Sequence, residues 1–410
     1  MKKRSVLLVI VFFISIIILS VNSNNKYLVK EESLATYIDG EKTDSFPAKG
    51  TVAFSKADCD NNTNIEWDND NWGLYVTDLS NKVKCNIYFK SGENSVTKIT
   101  SLASSDTTNM ASDDPDNNIR YIGANPNNYV YFNCSDYANQ TSDTCELWRI
   151  IGIFNNIEKE DGTKENLIKI IREESIGNYS YDNKDTATGA ENAYGNSDWT
   201  ISRINYLLNS GYDLKKIGGS LYYKAKSGYC YSGSENATVS CDFTTTGLKN
   251  NETRNSIESV IWKLGGSSTF YDISTPEFYQ KERNGSTYST RAIRWTGQIA
   301  LMYPSDYGYA TSGGTNVNRN ECLQKKLYTW NEFEDCFNNN YLYKSSYSQW
   351  LLMSGNKYPE HVFNVRPEGN VATYGAVDVN GFVRPTLFLK SNILITSGDG
   401  SSNTPYQLGL

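Results

Sequence analysis

One histidine, His361, stands among 410 residues. Histidine-based acid–base chemistry therefore has a single candidate, and its place at the head of an apparent strand reads as structural. A zinc site has little to draw on, because no Cys-x-x-Cys pair accompanies that histidine. A Gly-x-Ser-x-Gly elbow, a His-Glu-x-x-His motif and a glycine-rich phosphate loop are also missing. What remains open to an enzyme is carboxylate-pair chemistry, which needs no motif. Glu173, Glu174 and Asp306 are the candidates for such an exported carbohydrate hydrolase. Positive charge is in short supply too. Lysine and arginine number 39 against 46 acidic residues, for a net charge of −7 and a pI near 5.1. No basic stripe could neutralise a phosphate backbone, which excludes nucleic acid as a partner. After residue 21 no apolar run is long enough to span a bilayer.

The first residues carry the clearest signal present. Lys2, Lys3 and Arg4 precede an apolar run over 6–19 that only Ser15 interrupts. Positive charge stays on the cytoplasmic side, so the remainder is exported. The run is a little short of the roughly 20 residues a helical span takes. It reads either as an uncleaved signal anchor or as a signal peptide, with Val21, Asn22 and Ser23 before the cut. The first gives a single-pass protein of the cell membrane with its C-terminal domains outside; the second gives a secreted one.

Eight cysteines fall into four local couples: Cys59 with Cys85, Cys134 with Cys145, Cys230 with Cys241, and Cys322 with Cys336. An even count on the exported side points to disulfides. Each couple brackets a polar, turn-rich segment, and closing such a loop stabilises by about 3 kcal/mol on the chain-entropy model. Sequential pairing is the expectation.

Composition divides the chain into 1–23 (anchor or signal), 24–45 (stalk), 46–92 (small β module), 93–118 (linker) and 119–410 (large domain). In the module, 51–54, 73–76 and 83–89 read as strands around Trp67 and Trp72, with Asp39-Gly40 as a tight turn before them. The segment 93–118 is poor in large apolar residues, and its Asp113, Asp114 and Asp116 read as solvated rather than as a calcium site. Asp68-Asn69-Asp70 opens like a calcium loop, yet Leu79 occupies the place of the bidentate glutamate. No cofactor is implied, and a metal is left unassigned.

In the large domain, 129–133, 146–154 and 167–172 read as strands. Helical stripes run over 200–208, 250–264 and 275–282, and strands resume at 299–303, 349–353, 361–365 and 383–389. Helices gathered within a β-rich chain give an α+β class. Arg149 and Arg384 lie in apolar strands and call for carboxylate partners, with Asp306 a candidate. Tyr303, Asp306, Tyr307 and Tyr309 are the candidate lining of a pocket for a polar ligand.

Five blocks in order carry a resemblance: 147–153 (LWRIIGI), 168–176 (IKIIREESI), 299–309 (IALMYPSDYGY), 381–390 (GFVRPTLFLK) and 398–406 (GDGSSNTPY). Over about 120–407 they resemble an uncharacterised bacterial family of exported, asparagine-rich surface proteins. The stretch 67–72 (WDNDNW) and its cysteine couple resemble a companion module of such proteins. That family is in turn similar to the C-type-lectin-like domains of the sulfatase-modifying-factor group. The resemblance implies a C-type-lectin-like antiparallel sheet with loops laid over two or three helices, behind a membrane helix and a small all-β module. It implies no activity, because the scaffold serves many functions. Formylglycine-generating members use a close pair of late cysteines. Here Cys336 is the last cysteine and Cys322 is well separated from it, so that chemistry is not carried over.

Thirty tyrosines and eight tryptophans, export and disulfides lead to a membrane-tethered extracytoplasmic binding or adhesion protein. A glycan or a surface protein is the expected partner. An envelope assembly component that binds another protein is the second reading, and the hydrolase is the third.

Overall fold

The computed structural model describes residues 34–60, 65–68, 71–76, 84–182, 195–209, 227–231, 237–242, 247–284, 291–355, 360–376 and 381–410. The expected N-terminal helix lies outside these. Among the described residues no helix is long and apolar enough to cross a membrane.

Two adjacent antiparallel strands, Glu146–Glu158 and Lys164–Arg172, form the spine of the molecule. Their apolar stretches are buried without alternation, as expected of strands covered on both faces. Tyr129–Phe132 and Ile119–Tyr121 pair with the first spine strand, and Thr386–Phe388 pairs with the second. Ile299–Ala300 and Met110–Ala111 close the two ends of this sheet. A second sheet holds Val371–Gly375, His361–Val365, Ser348–Ser354 and Gly381–Phe382, in that order. His361 opens its strand with Nδ1 3.2 Å from Thr373 Oγ1.

Strand outweighs helix by 39% to 19% of the described residues, so the α+β expectation is corrected to mostly β. The segment 250–264 gives the physical reason. Ile257, Val260, Ile261 and Leu264 fit a helical stripe, yet the helix Asn251–Ser256 stops before them. Val260–Lys263 is instead a strand paired with Arg294–Gly297. Burial there alternates, with Val260, Trp262 and Leu264 inside, and β-branched and aromatic residues favour that pleated surface. The helix expected over 275–282 does form, as Thr275–Arg283, with a capping box between Ser274 and Glu277.

The N-terminal module is larger than composition implied. Leu34–Ile38 and Glu41–Thr43, placed in the stalk by composition, join Cys85–Ser91 and Val52–Cys59 in one sheet. Asp39 and Gly40 form the tight turn with φ of 50° and 88°, the two positive values that such a hairpin requires. Leu74, Ile87 and Phe89 make the module's core, with Phe54, Trp67 and Trp72 packed against it.

The expected linker is also structured. Asn94 caps the helix Ser95–Ala103 through Thr97 N at 3.1 Å, and Ile99 on that helix is fully buried. One apolar stripe of Val96, Ile99 and Leu102 suffices to dock a polar segment, which average composition hides. Of the acidic residues that follow, Asp116 is half exposed, as expected of a solvated carboxylate, while the other two are held by arginines. Asp113 pairs with Arg319 at 2.8 Å, and Asp114 is buried against Arg120 at 2.7 Å.

Cys59–Cys85, Cys134–Cys145 and Cys322–Cys336 are disulfides. Cys230 and Cys241 lie on the paired strands Ser227–Tyr231 and Ala237–Asp242, and their side chains fall outside the described residues. Three such bonds place the chain in an oxidising compartment. Alkylation of the denatured, unreduced protein is therefore expected to leave these six cysteines unmodified, and peptide mapping after reduction should then label each of them.

Candidate functional site

Tyr303, Asp306, Tyr307 and Tyr309 sit on or beside the short helix Pro304–Tyr309. Pro304 opens it, at a position where a missing N–H is harmless. Tyr303 N donates back to Asp306 Oδ2 at 2.9 Å. All four side chains are buried. Tyr303 Oη donates to Lys263 O at 2.9 Å, and Tyr307 Oη donates to Gly369 O at 2.7 Å. The Tyr309 ring lies 5.0 Å from the Arg120 guanidinium. All four are therefore packed in the core.

Asp306 is the centre of a buried ionic cluster. Arg120 Nη1 donates to Oδ1 at 3.0 Å, and Lys169 Nζ donates to Oδ2. Arg120 Nε also donates to Asp114, itself fixed by Asn118 Nδ2 at 2.9 Å. Burial opposes ionisation of Asp306, but Lys169 and Arg120 outweigh it and hold its pKa below the ordinary aspartate value. Burial takes Lys169 down to about 8 against the pull of Asp306. Nearby Glu282 accepts from Ser305 N at 2.8 Å, and burial raises its pKa despite Arg283.

The partner sought for Arg149 and Arg384 is not Asp306 but Glu173, whose Oε2 lies 3.7 Å and 3.6 Å from the two guanidinium groups. Lys344 donates to the other oxygen at 2.8 Å. Glu173 is thus an ion-pair anchor, and Asp306 is sealed in the core. Glu174, the remaining carboxylate candidate, is exposed, with its Oε1 3.5 Å from Lys344 Nζ.

An open cleft of about 520 Å³ lies where the N-terminal module meets the main body. Phe54 and Trp67 stand on the module side, with Asp68 beside them. Their rings are stacked at 4.7 Å and 4°, and Trp67 is held edge-on by Trp72 and Phe89. A long-range fold is needed to build the opposite side. The loop after Tyr129–Phe132 brings Asp136 and Tyr137, and the helix Asn251–Ser256 brings Glu252 and Asn255. Tyr137 Oη and Thr253 Oγ1 lie 2.8 Å apart and lock these two segments together.

The two sides are tied directly. Lys90 Nζ of the module donates to Ala138 O at 3.0 Å. Gly409, on the strand Gln407–Gly409, approaches so closely that an added Cβ would lie 2.2 Å from Ala53 Cβ. Glu252 reaches the cleft with its pKa raised by desolvation first and by the Asp136 charge second. The lining thus pairs an aromatic surface with carboxylate, amide and ammonium groups, and it contains no histidine or cysteine. Among the described residues no group of histidine, cysteine or acidic side chains is arranged to hold a metal ion.

In the sequence Trp67 stands out only as a packing residue of the small module. Phe54, Glu252 and Asn255 carry no motif; they become neighbours through the docking of segments about 200 positions apart. No family model, no curated protein and no solved structure matches this chain.

Proposed function

We propose that this chain is an extracytoplasmic binding protein, held at the cell membrane by its N-terminal segment, with a carbohydrate as the ligand of the cleft between module and body. The observation that carries this reading is the stacked Phe54–Trp67 pair, with Asp68 beside it, lining one cleft together with Asp136, Glu252 and Asn255. A sugar offers an apolar C–H face to an aromatic surface and hydroxyls to amides and carboxylates, and ligand sites commonly combine such groups. The disulfides agree with export, and the positive cluster before the apolar run 6–19 agrees with a tether.

A protein partner is the second reading, favoured by one feature. Val52–Cys59 is the last strand of the module's sheet as described, and its residues Ala53, Phe54 and Ser55 border the cleft. An unpaired sheet edge beside a groove can accept an extended peptide as an added strand.

The test is binding of oxidised residues 26–410 to a panel of glycans and cell-wall fragments. Saturable binding to one sugar class is expected. A folded protein that binds none of them overturns the carbohydrate reading and leaves the protein partner.

A further inference from the structure

We propose that Lys169 and Asp306 become joined by an intramolecular amide, an isopeptide bond that fastens the spine strand Lys164–Arg172 to the helix Pro304–Tyr309. Both side chains are fully buried, and Lys169 Nζ is in direct contact with Asp306 Oδ2. They come from separate elements far apart in sequence, so the bond would close a loop of well over a hundred residues.

The ion pair is the resting state, with Asp306 held ionised by Lys169 and Arg120, and the surroundings ease release of the amine from it. Four aromatic rings enclose the amine: Tyr303, Phe154, Trp262 and Phe388 have centroids 4.5, 5.1, 5.2 and 5.5 Å from Nζ. A buried ammonium is costly even when paired, and burial brings Lys169 down to about 8, toward its nucleophilic neutral form. Transfer of one proton from Nζ to the touching carboxylate turns the ion pair into a free amine and a carboxylic acid. The nitrogen lone pair then attacks Cγ, forming the C–N bond and a tetrahedral oxyanion. Arg120 Nη1, 3.0 Å from Oδ1, already points at the oxygen on which that charge develops, and Tyr303 N–H, 2.9 Å from Oδ2, holds the oxygen that leaves as hydroxyl. Such fixed donors stabilise the intermediate without reorganisation. The C–O bond breaks, the departing hydroxyl takes the second amine proton, and one water leaves. No oxidant or cofactor enters the balance. Fixed contact replaces a bimolecular encounter, and the sealed core withholds the water that would reverse the step. Arg120 keeps Asp114 as its counter-ion at 2.7 Å throughout.

Peptide mapping reads this directly. The full chain is denatured, reduced, alkylated and digested with trypsin. Amidation blocks cleavage at Lys169, so the digest should contain a branched species joining 165–172 to 295–319, lighter than the two peptides together by one water. Lys169→Met and Asp306→Ala should each abolish that species. Because the decisive reading is made on the unmodified sequence, it stands even if a variant fails to fold. Recovery of 165–169 and 295–319 as separate linear peptides, as the main form, overturns the proposal.

Discussion

Asp306→Ala is expected to cost about 3–5 kcal/mol of folding stability, the range found when one member of a buried charge pair is removed. Until an amide forms, the carboxylate answers two cations at once, Arg120 at 3.0 Å and Lys169 in direct contact. Without it Arg120 retains Asp114, but Lys169 loses its contacting anion inside a cage of rings. Lys169→Met in the same chain should restore part of the loss, because it removes the stranded charge and supplies an apolar side chain of similar length. Denaturant titration of the wild type, the single variant and the double variant checks both statements. A single variant within 1 kcal/mol of wild type, taken as roughly the scale of exposed pairs, would show that the cluster is not a stability element.

Gly152→Ala is expected to be comparably damaging, for a steric reason. Gly152 lies on the strand Glu146–Glu158 opposite Arg120, beside a register shift at Ile150. A methyl group there would lie 2.0 Å from Ile119 O and 3.0 Å from Arg120 Cα. These are backbone atoms of the paired strand, so no side-chain rotation relieves the contact. Either the strand Ile119–Tyr121 shifts, carrying Arg120 out of its cluster, or the pair opens. A loss of about 3 kcal/mol or more is expected, at the upper end of overpacking effects, measured as a lower denaturation midpoint. Stability equal to wild type would mean that this strand pair adjusts freely.

The glycine illustrates what could be read in advance. Its block, 147–153, announced a strand through its β-branched and aromatic content, and the strand is there. Three of the four cysteine couples are bonded in sequential order, two at or beside strand ends and one, Cys322–Cys336, between two short helices. The stripe over 250–264 misled because spacings of three and four also occur in a strand whose alternate residues are buried. The segment 93–118 misled because one buried face of a nine-residue helix needs only three or four apolar residues. For the cleft the limit is of another kind. Trp67 was visible as an aromatic in a small module, but its setting comes from tertiary docking. Lys90 on Ala138 and Gly409 against Ala53 fix that docking, and neither contact leaves a local pattern. For 303–309 the sequence is ambiguous, because a run of tyrosines around an aspartate looks the same in a core as in a pocket, and here it is in the core. Arg120 and Lys169, which decide the matter, lie more than a hundred positions earlier.

The most direct measurement is titration of the panel's sugar against wild type and two variants from opposite sides of the cleft, Trp67→Ala and Asn255→Ala. If module and body form one site, each variant should weaken binding by about tenfold or more, the effect of truncating a central contact. A control, Glu174→Gln, changes a carboxylate outside the cleft lining and should bind as wild type does. Unchanged affinity in both cleft variants, with the sugar still bound, would place the ligand elsewhere and contradict the assignment of this cleft.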